Sequence, residues 1–361
     1  MIVNCIRYAV YATLCTVILM FVPFPGYAKN NVDTTPHYQR IIIQNEVHKN
    51  GIFDITVEYG DDAIGWMAYS RVEFPNFVET RLAKSLDRGK TWTYVNTPNP
   101  STFGTLIKDG KTLHGAWRNE TPTLLYDRSD RPDKRWKLFS QRAFCKSPCK
   151  PKGAMWEESW IEYRTAASPE GPWSDAIPLL SAKDGNAQFN LNGIHPDLRN
   201  IVFYAEPGSI ELNGTIYLSL DASATASGLG KWKKRKIILI ASKDHGKNWY
   251  YVGTLTDYND ANDFGYVVLT ASSIAKEDNT IYALLSPAGK KGLFASKGHD
   301  GVIIVPFIDI TLAQLQRDNK GRLLPVKQLF PVLHSGGEVD YHEQNTYGGL
   351  LFSQIDKHVT T

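Results

Sequence analysis

Short runs in which apolar and polar residues alternate recur along the chain, and pairs of runs surround a Gly or an Asn. Residues 53–70, 102–117, 206–220 and 272–285 each read as strand, turn and strand. Alternation with a period of two is typical of half-buried strands, and Gly or Asn provides the turn between them. Repeated hairpins of this kind predict an all-β fold whose strands form the blades of a β-propeller. Helical patterning is weak, and its best short stretch is 310–317.

One motif occurs twice, at 85–92 and 242–249, and both copies read Ser-x-Asp-x-Gly-x-(Thr/Asn)-Trp. Each copy lies between two β-like runs, so we expect both at hairpin tips. There the Asp accepts backbone N–H groups, the Gly supplies a positive φ and the Trp buries its ring. A weaker tip is 168–173. The motif residues are Ser85, Asp87, Gly89 and Trp92, and then Ser242, Asp244, Gly246 and Trp249.

These copies resemble the Asp-box of sialidase-like β-propellers, where the motif is structural and lies away from the catalytic residues. The resemblance implies a propeller, and the marker tryptophans give an expected number of blades. Trp92, Trp136, Trp173 and Trp249 are separated by 44, 37 and 76 residues. We therefore expect five blades, with the six-bladed sialidase type as the alternative.

The two ends of the chain have separate signatures. The β-like runs 38–44 and 347–355 are expected to pair and close the ring, so that residues 29–361 form a single domain. Residues 1–28 hold one charged residue, an apolar run and a small-x-small ending, which is the layout of a cleaved signal peptide. The alternative is an uncleaved membrane anchor. We expect a secreted or periplasmic protein that meets the membrane only through this segment.

The charged residues are nearly balanced, with 40 Lys and Arg against 37 Asp and Glu, which excludes a histone-like polycation. The basic run 231–236 is expected to be a solvated loop and not a nucleic-acid site. Cys145 and Cys149 are expected to form a disulfide in an exported protein. Because the sequence has no zinc-ligand spacing and no phosphate-binding loop, we expect neither a metal nor a cofactor. We also expect a monomer.

Carboxylates fall at equivalent positions in two of the predicted hairpins. Aligning four hairpins on their turns places Asp54, Thr102, Glu206 and Ala271 at the start of the innermost strands, around a central funnel. Cleavage of a glycosidic bond requires two carboxyl groups, one to protonate the leaving oxygen and one to activate water or to attack. The alternative is that Asp54 and Glu206 cap turns or bind water.

The sequence around these two residues resembles five-bladed propeller glycosidases of the arabinanase and xylosidase type. Residues 206–219 resemble their acid-bearing blade, and Asp54, after Phe53, resembles their first-blade Asp. The resemblance implies that Asp54 is the general base and that Glu206 is the general acid, with the higher pKa. The third carboxylate of that family, which tunes the acid, has no clear counterpart, and Glu157 or Glu158 is the nearest candidate.

A sialidase would instead need arginines for the substrate carboxylate and a tyrosine nucleophile. Arg71, Arg118 and Arg164 could converge, and Tyr347 could be the nucleophile or an ordinary strand residue. The surroundings of these arginines match no sialidase pattern. Hydrolysis of a neutral glycan therefore ranks above hydrolysis of sialic acid.

Four residues are candidates for binding the sugar. Trp117 and Trp156 could stack on sugar rings, with burial between blades as the alternative, and Arg71 and Arg118 could bind polar groups. The sequence predicts an exported glycoside hydrolase that acts on an extracellular or periplasmic glycan. The alternatives are a non-catalytic propeller that binds glycan or protein, and a sialidase.

Overall fold

The computed structural model describes residues 41–47, 51–73, 77–149, 154–225, 235–289 and 301–329. The predicted signal peptide and the run 347–355, which was expected to pair with 38–44 and includes Tyr347, lie outside these residues. The strands of the described part are β1 Ile43–Gln44, β2 Ile52–Tyr59, β3 Gly65–Glu73, β4 Phe77–Ser85, β5 Trp92–Asn99, β6 Thr102–Lys108, β7 Lys111–Tyr126, β8 Trp136–Lys146, β9 Ala154–Ala166, β10 Ile177–Ser181, β11 Phe189–Asn190, β12 Phe203–Leu212, β13 Thr215–Ser223, β14 Arg235–Ser242, β15 Tyr250–Thr256, β16 Val268–Glu277, β17 Thr280–Ala288, β18 Val302–Asp309, β19 Gln314–Leu315 and β20 Lys327–Leu329.

The helices of the described residues are short. Helix α1 spans Tyr258–Asp263 and begins with a capping box from Asp257, and 3-10 turns span Pro132–Lys134, Leu191–Gly193, Pro196–Leu198 and Ile310–Leu312. The predicted helix at 310–317 was wrong, because Ala313 has a left-handed φ of 53° and strand β19 follows. None of these helices is long and apolar enough to cross a membrane.

The strands form four sheets that follow one another along the chain, and each is built on four antiparallel strands. Their orders are β1-β5-β4-β3-β2, β11-β10-β9-β8-β7-β6, β12-β13-β14-β15 and β16-β17-β18-β19, with β20 also paired to β18. Strand β2 contacts β7, β7 contacts β12, and β12 contacts β16. Strands β2, β7, β12 and β16 therefore stand side by side as the inner strands of the four sheets, and the predicted all-β propeller is confirmed.

The second blade contains two tryptophans that the spacing argument assigned to separate blades. Trp136 begins β8, and Trp173 lies between β9 and β10 of the same sheet. The described residues thus form four blades, and the count of five stays a prediction because residues 330–361 are outside the described part. The hairpin 102–117 was also misplaced. Strand β7 continues to Tyr126, and its later half is the inner strand, whereas β6 is an added edge strand.

The turns at 85–92 and 242–249 join the third and fourth strands of the first and third blades. In the first turn, Gly89 N donates to Ser85 Oγ (2.7 Å), Thr91 N to Asp87 Oδ1 (2.9 Å) and Trp92 Nε1 to the Gly89 carbonyl (3.0 Å). The corresponding bonds of the second turn measure 2.8, 2.8 and 3.1 Å and involve Ser242, Asp244, Gly246, Asn248 and Trp249. Both tryptophan rings are buried, and Trp92 belongs to the same apolar cluster as Val57 of β2, so each turn anchors the outer strands to the rest of its blade.

Candidate active site

Each inner strand is irregular at the same level. Its pairing with the second strand shifts between Phe53 and Thr56, between Glu120 and Thr123, between Ala205 and Gly208, and between Thr270 and Ser273. A bulge re-aims the side chain that it contains. Asp54, Thr121 and Glu206 lie in three of these bulges with left-handed φ values of 56°, 50° and 53°. This backbone is uncommon for residues with a side chain and clusters at functional sites.

One of the four positions that the sequence predicted to be equivalent, Thr102, was wrong. The counterpart of Asp54 and Glu206 in the second blade is Thr121, because the inner strand there is the later half of β7. Thr102 begins the edge strand β6, where its hydroxyl accepts a hydrogen bond from Arg142. Two of the four bulges therefore carry carboxyl groups, as the sequence alignment indicated.

The inner strands approach one another closely because small hydroxyl residues line their contacts. The hydroxyls of Thr123 and Ser209 are 3.0 Å apart across the second and third blades, and those of Ser219 and Ser272 are 2.8 Å apart across the third and fourth. A Cβ added to Gly208 would lie 2.3 Å from the Ser272 carbonyl oxygen. Gly208 is therefore required for the approach of the fourth blade.

Asp54 is buried beside two other carboxyl groups. Its Oδ2 accepts the backbone N–H of Thr121 at 3.2 Å, and no described residue hydrogen-bonds its Oδ1. Burial raises the pKa of Asp54 to about 8; hydrogen bonds from Ser70 and Thr121 oppose this shift, and the charges of Glu120 and Glu206 add to it. This shift favours the protonated form of Asp54 at neutral pH.

Glu120 is a site residue that sequence reasoning missed. Its Oε2 accepts a hydrogen bond from Arg118 Nη2 at 2.8 Å, and both side chains are buried. Burial raises the pKa of Glu120, Arg118 opposes the shift and Glu206 adds to it. Arg118 Nη1 also lies 4.0 and 3.8 Å from the sulfurs of Cys145 and Cys149, which form a disulfide. We call Asp54, Glu120 and Glu206 the carboxyl cluster.

Glu206 belongs to the more accessible side of this cluster. The Thr270 hydroxyl lies between Glu206 Oε2, to which it is hydrogen-bonded, and Asp221 Oδ2, which is 2.7 Å away. Asp221 is paired with Arg235, whose Nε is 3.3 Å from Asp221 Oδ1. Burial lowers the pKa of the Arg235 guanidinium, and the nearby charge of Glu206 opposes that shift. Arg235 belongs to the basic run 231–236, which was expected to be a solvated loop, but it begins strand β14.

Several predicted residues lie elsewhere. Glu158 is paired with Lys183 at 2.9 Å. Arg71 lies 3.8 Å from Glu79 and is also paired with Glu73, and Arg164 donates to Asn99 and to the Ser174 carbonyl, so these arginines do not converge with Arg118.

The two predicted sugar-stacking tryptophans have different surroundings. The half-buried Trp117 ring packs 4.9 Å from the ring of Trp160 and 5.2 Å from that of Phe144, which supports packing within the blade. Trp156 stacks on Phe203 with 6.2 Å between ring centroids, and the Arg235 guanidinium lies 5.9 Å from the same Phe203 ring. Trp156 and Arg235 thus pack against the same Phe203 ring, which lies three residues before Glu206 on β12.

A separate charged group joins the second and third blades. Asp127, Asp130 and His245 offer ligand atoms within 4.8 Å of one another. The buried Lys137 ammonium lies among them, 3.4 Å from Asp127 and 2.5 Å from Asp130, and His245 Nδ1 is 3.0 Å from Asp127. The ammonium supplies the positive charge that balances these carboxylates, so the group is an ion-pair cluster between blades.

A cavity of about 1060 Å³ lies at the opposite ends of the inner strands. Its lining includes Tyr59, Tyr126, Asn213, Tyr217 and Asn279. These residues lie at the ends or turns of the inner hairpins. The carboxyl cluster does not line this cavity, so the chemistry and the cavity are at different levels of the propeller.

No protein-family model and no curated protein sequence matches this chain. Similar solved structures include an exo-1,5-α-L-arabinanase from a bovine ruminal metagenomic library, with 12% identity, a TM-score of 0.44 and coverage of 78% of this chain and 79% of that one. The α-L-arabinofuranosidase Arb93A from Fusarium graminearum has 13% identity, a TM-score of 0.43 and coverage of 83% and 71%.

The Hadza microbial sialidase Hz136 is also similar, with 12% identity and a TM-score of 0.43 over 75% of this chain. This chain spans 47% of that sialidase's length. The structural neighbours are thus propeller glycoside hydrolases at low identity. At TM-scores below 0.5 these likenesses carry no argument about activity, which has to come from the site itself.

Proposed function

We propose that this protein is a glycoside hydrolase that acts on a neutral glycan, with Asp54 and Glu206 as its acid–base pair. The carboxyl cluster carries the proposal. Three carboxyl groups, one from each of three neighbouring blades, interact at the level of the bulges. Hydrolysis of a glycosidic bond needs two carboxyl groups in different environments. One must be protonated, so that it can act as the acid, and the other must be ionised, so that it can act as the base.

The surroundings of the two residues favour roles opposite to those implied by the resemblance. Asp54 is buried with a raised pKa, as a proton donor requires, whereas Glu206 lies near the Arg235 guanidinium. In the proposed step the Asp54 proton passes to the glycosidic oxygen as the bond from that oxygen to the anomeric carbon breaks. Glu206 takes a proton from the water that attacks the anomeric carbon, and proton exchange with solvent then restores both groups.

The proposed substrate is neutral because the nearby arginines already have carboxylate partners. Arg118 is paired with Glu120, and Arg235 is paired with Asp221. A carboxylate on the sugar would have to compete with these partners and would meet the charge of Glu206. A sialidase, which must bind a carboxylate through arginines, is therefore the weaker proposal.

Turnover of a panel of neutral chromogenic glycosides tests the proposal. Asp54→Asn and Glu206→Gln should each lower kcat by a factor of about 10²–10⁴, the usual contribution of general acid–base catalysis. Glu157→Gln is the matched control, because Glu157 is half-buried and paired with Lys108 outside the cluster. If wild type cleaves a glycoside and both cluster variants keep its kcat, this acid–base pair is refuted.

A non-catalytic glycan-binding propeller is the second candidate, and one observation favours it. Asp54 and Glu120 are only 3% and 5% exposed, which limits their contact with a bound sugar. This function predicts retention on a glycan array together with no turnover of any retained glycan. Release of reducing ends from a retained glycan would exclude it.

We also propose that the protein is exported. The N-terminal pattern supports this location, and a disulfide is typical of oxidising compartments. Mass spectrometry of the extracellular or periplasmic fraction should find a chain that starts at Lys29, with no free thiol at Cys145 or Cys149. An intact residue 1 on cytoplasmic protein would contradict this location.

A further inference from the structure

The carboxyl cluster is closed on one side and open on another. Asp54, Glu120 and Asp221 are buried, whereas Glu206 and Trp156 are half-buried and the Arg235 side chain is 20% exposed. These accessible residues come from β12, β9 and β14. A ligand can therefore reach the cluster from the side where the second blade meets the third.

Phe203 links the accessible residues to one another. It lies at the start of β12, three residues before Glu206, and it is buried. Both Trp156 and Arg235 contact its ring, so their separation is at most the sum of 6.2 Å and 5.9 Å. Because this is an upper limit, a glycan of two consecutive rings is long enough to contact both side chains. Since Asp221 neutralises Arg235, the described residues of this surface offer hydrogen bonds and an aromatic face, and their one guanidinium is already paired.

We propose that this surface holds two consecutive sugar rings of an extended glycan, the first beside Arg235 and Glu206 and the second on Trp156. The guanidinium and the carboxylate would bind hydroxyl groups of the first ring, since their donors and acceptors suit neighbouring hydroxyls. The indole would cover the C–H face of the second ring, as aromatic side chains do at binding sites that combine apolar and polar contacts. The inference rests on the proposed function for the nature of the ligand, and it does not require cleavage.

Binding of neutral oligosaccharides of one to four rings, measured by calorimetry, tests this surface. Trp156→Ala should raise the Kd for ligands of two or more rings by about tenfold, the equivalent of ~1.4 kcal/mol. It should leave the Kd for single-ring ligands unchanged. Trp156→Phe, which keeps an aromatic face, should restore most of the affinity. Trp160→Ala, on the same strand but packed on Trp117, is the control.

The outcomes separate this inference from the proposed function. Wild type that binds and cleaves none of the neutral oligosaccharides refutes both. Wild type that binds two-ring ligands with an affinity that Trp156→Ala leaves unchanged refutes the two-ring surface alone. An equal loss for single-ring and longer ligands also refutes it, because Trp156 would then contact the first ring or act through stability. Thermal unfolding of each variant identifies the latter case.

Discussion

The protonation of Asp54 can be tested without any substrate, through the pH dependence of stability. The pKa of Asp54 is about 8 in the folded protein against an ordinary value of 3.8. Between these values the folded state binds a proton that the unfolded state has released, so unfolding becomes easier as pH rises. The stability that the protonated Asp54 contributes is fully present below about pH 4. It is lost as pH rises to about 8, at ~1.4 kcal/mol per pH unit.

Asp54→Asn should remove this dependence. An amide has nearly the shape of a protonated carboxyl group and offers one acceptor and one donor end, so it can keep the Thr121 contact. Wild type and variant should have similar free energies of unfolding near pH 4. Near pH 8 the variant should be more stable, by an amount on the order of 5 kcal/mol, which corresponds to the raised pKa.

Urea unfolding followed by tryptophan fluorescence, at pH values from about 4 to about 8, measures the difference. Glu120, whose pKa is also raised, contributes a slope of the same sign in both proteins, so the comparison isolates Asp54. Parallel curves for the two proteins would mean that Asp54 is ionised in the folded state. The proposed acid role would then fail, whatever the activity.

Three further changes test the packing around the site. Lys137→Met leaves the buried Asp127 carboxylate without its ammonium and should lower the free energy of unfolding by about 3–5 kcal/mol; an unchanged denaturation midpoint would contradict the ion-pair cluster. Trp249→Ala empties a buried ring position and should lower that free energy by about 3–5 kcal/mol, which chemical denaturation checks; a loss below ~1 kcal/mol would show that the turn does not hold its blade. Replacing Cys145 and Cys149 together by Ala should lower the free energy of unfolding by about 2 kcal/mol, as closure of so short a loop implies. A melting temperature that is the same with and without a reductant would refute a stabilising disulfide.

The fold was predictable to the extent that local chemistry determined it. A turn motif holds its own hydrogen bonds, so Trp92 and Trp249 located the outer hairpins correctly. Blade boundaries were harder, because β7 is a single strand whose first half pairs with β6 and whose second half is the inner strand. Alternation along a strand does not reveal which neighbour it pairs with, and the assignment of Trp136 and Trp173 to separate blades was wrong for that reason.

The site was predictable in part. The equivalent placement of Asp54 and Glu206 was predictable because each lies in an inner-strand bulge near the start of a recognisable hairpin. Glu120 was missed because it precedes its bulge and belonged to no aligned position. One signal was available, since Thr121 and Glu206 are both followed by Pro within the bulge. Arg235 was missed because its role depends on contact with Asp221 on the neighbouring strand, and charge composition alone favours a solvated loop.

A bulge occurs in the inner strand of every described blade, and the side chains at the bulges differ. The bulges carry Asp54, Thr121 and Glu206 in the first three blades, and the fourth bulge shifts at Thr270. The propeller therefore supplies equivalent positions at one level, and the residue at each position decides the chemistry, which is why a fold does not determine a function. Whether this chain cleaves or only binds then depends on a measurable property, namely whether Asp54 holds a proton that a bound glycan can reach.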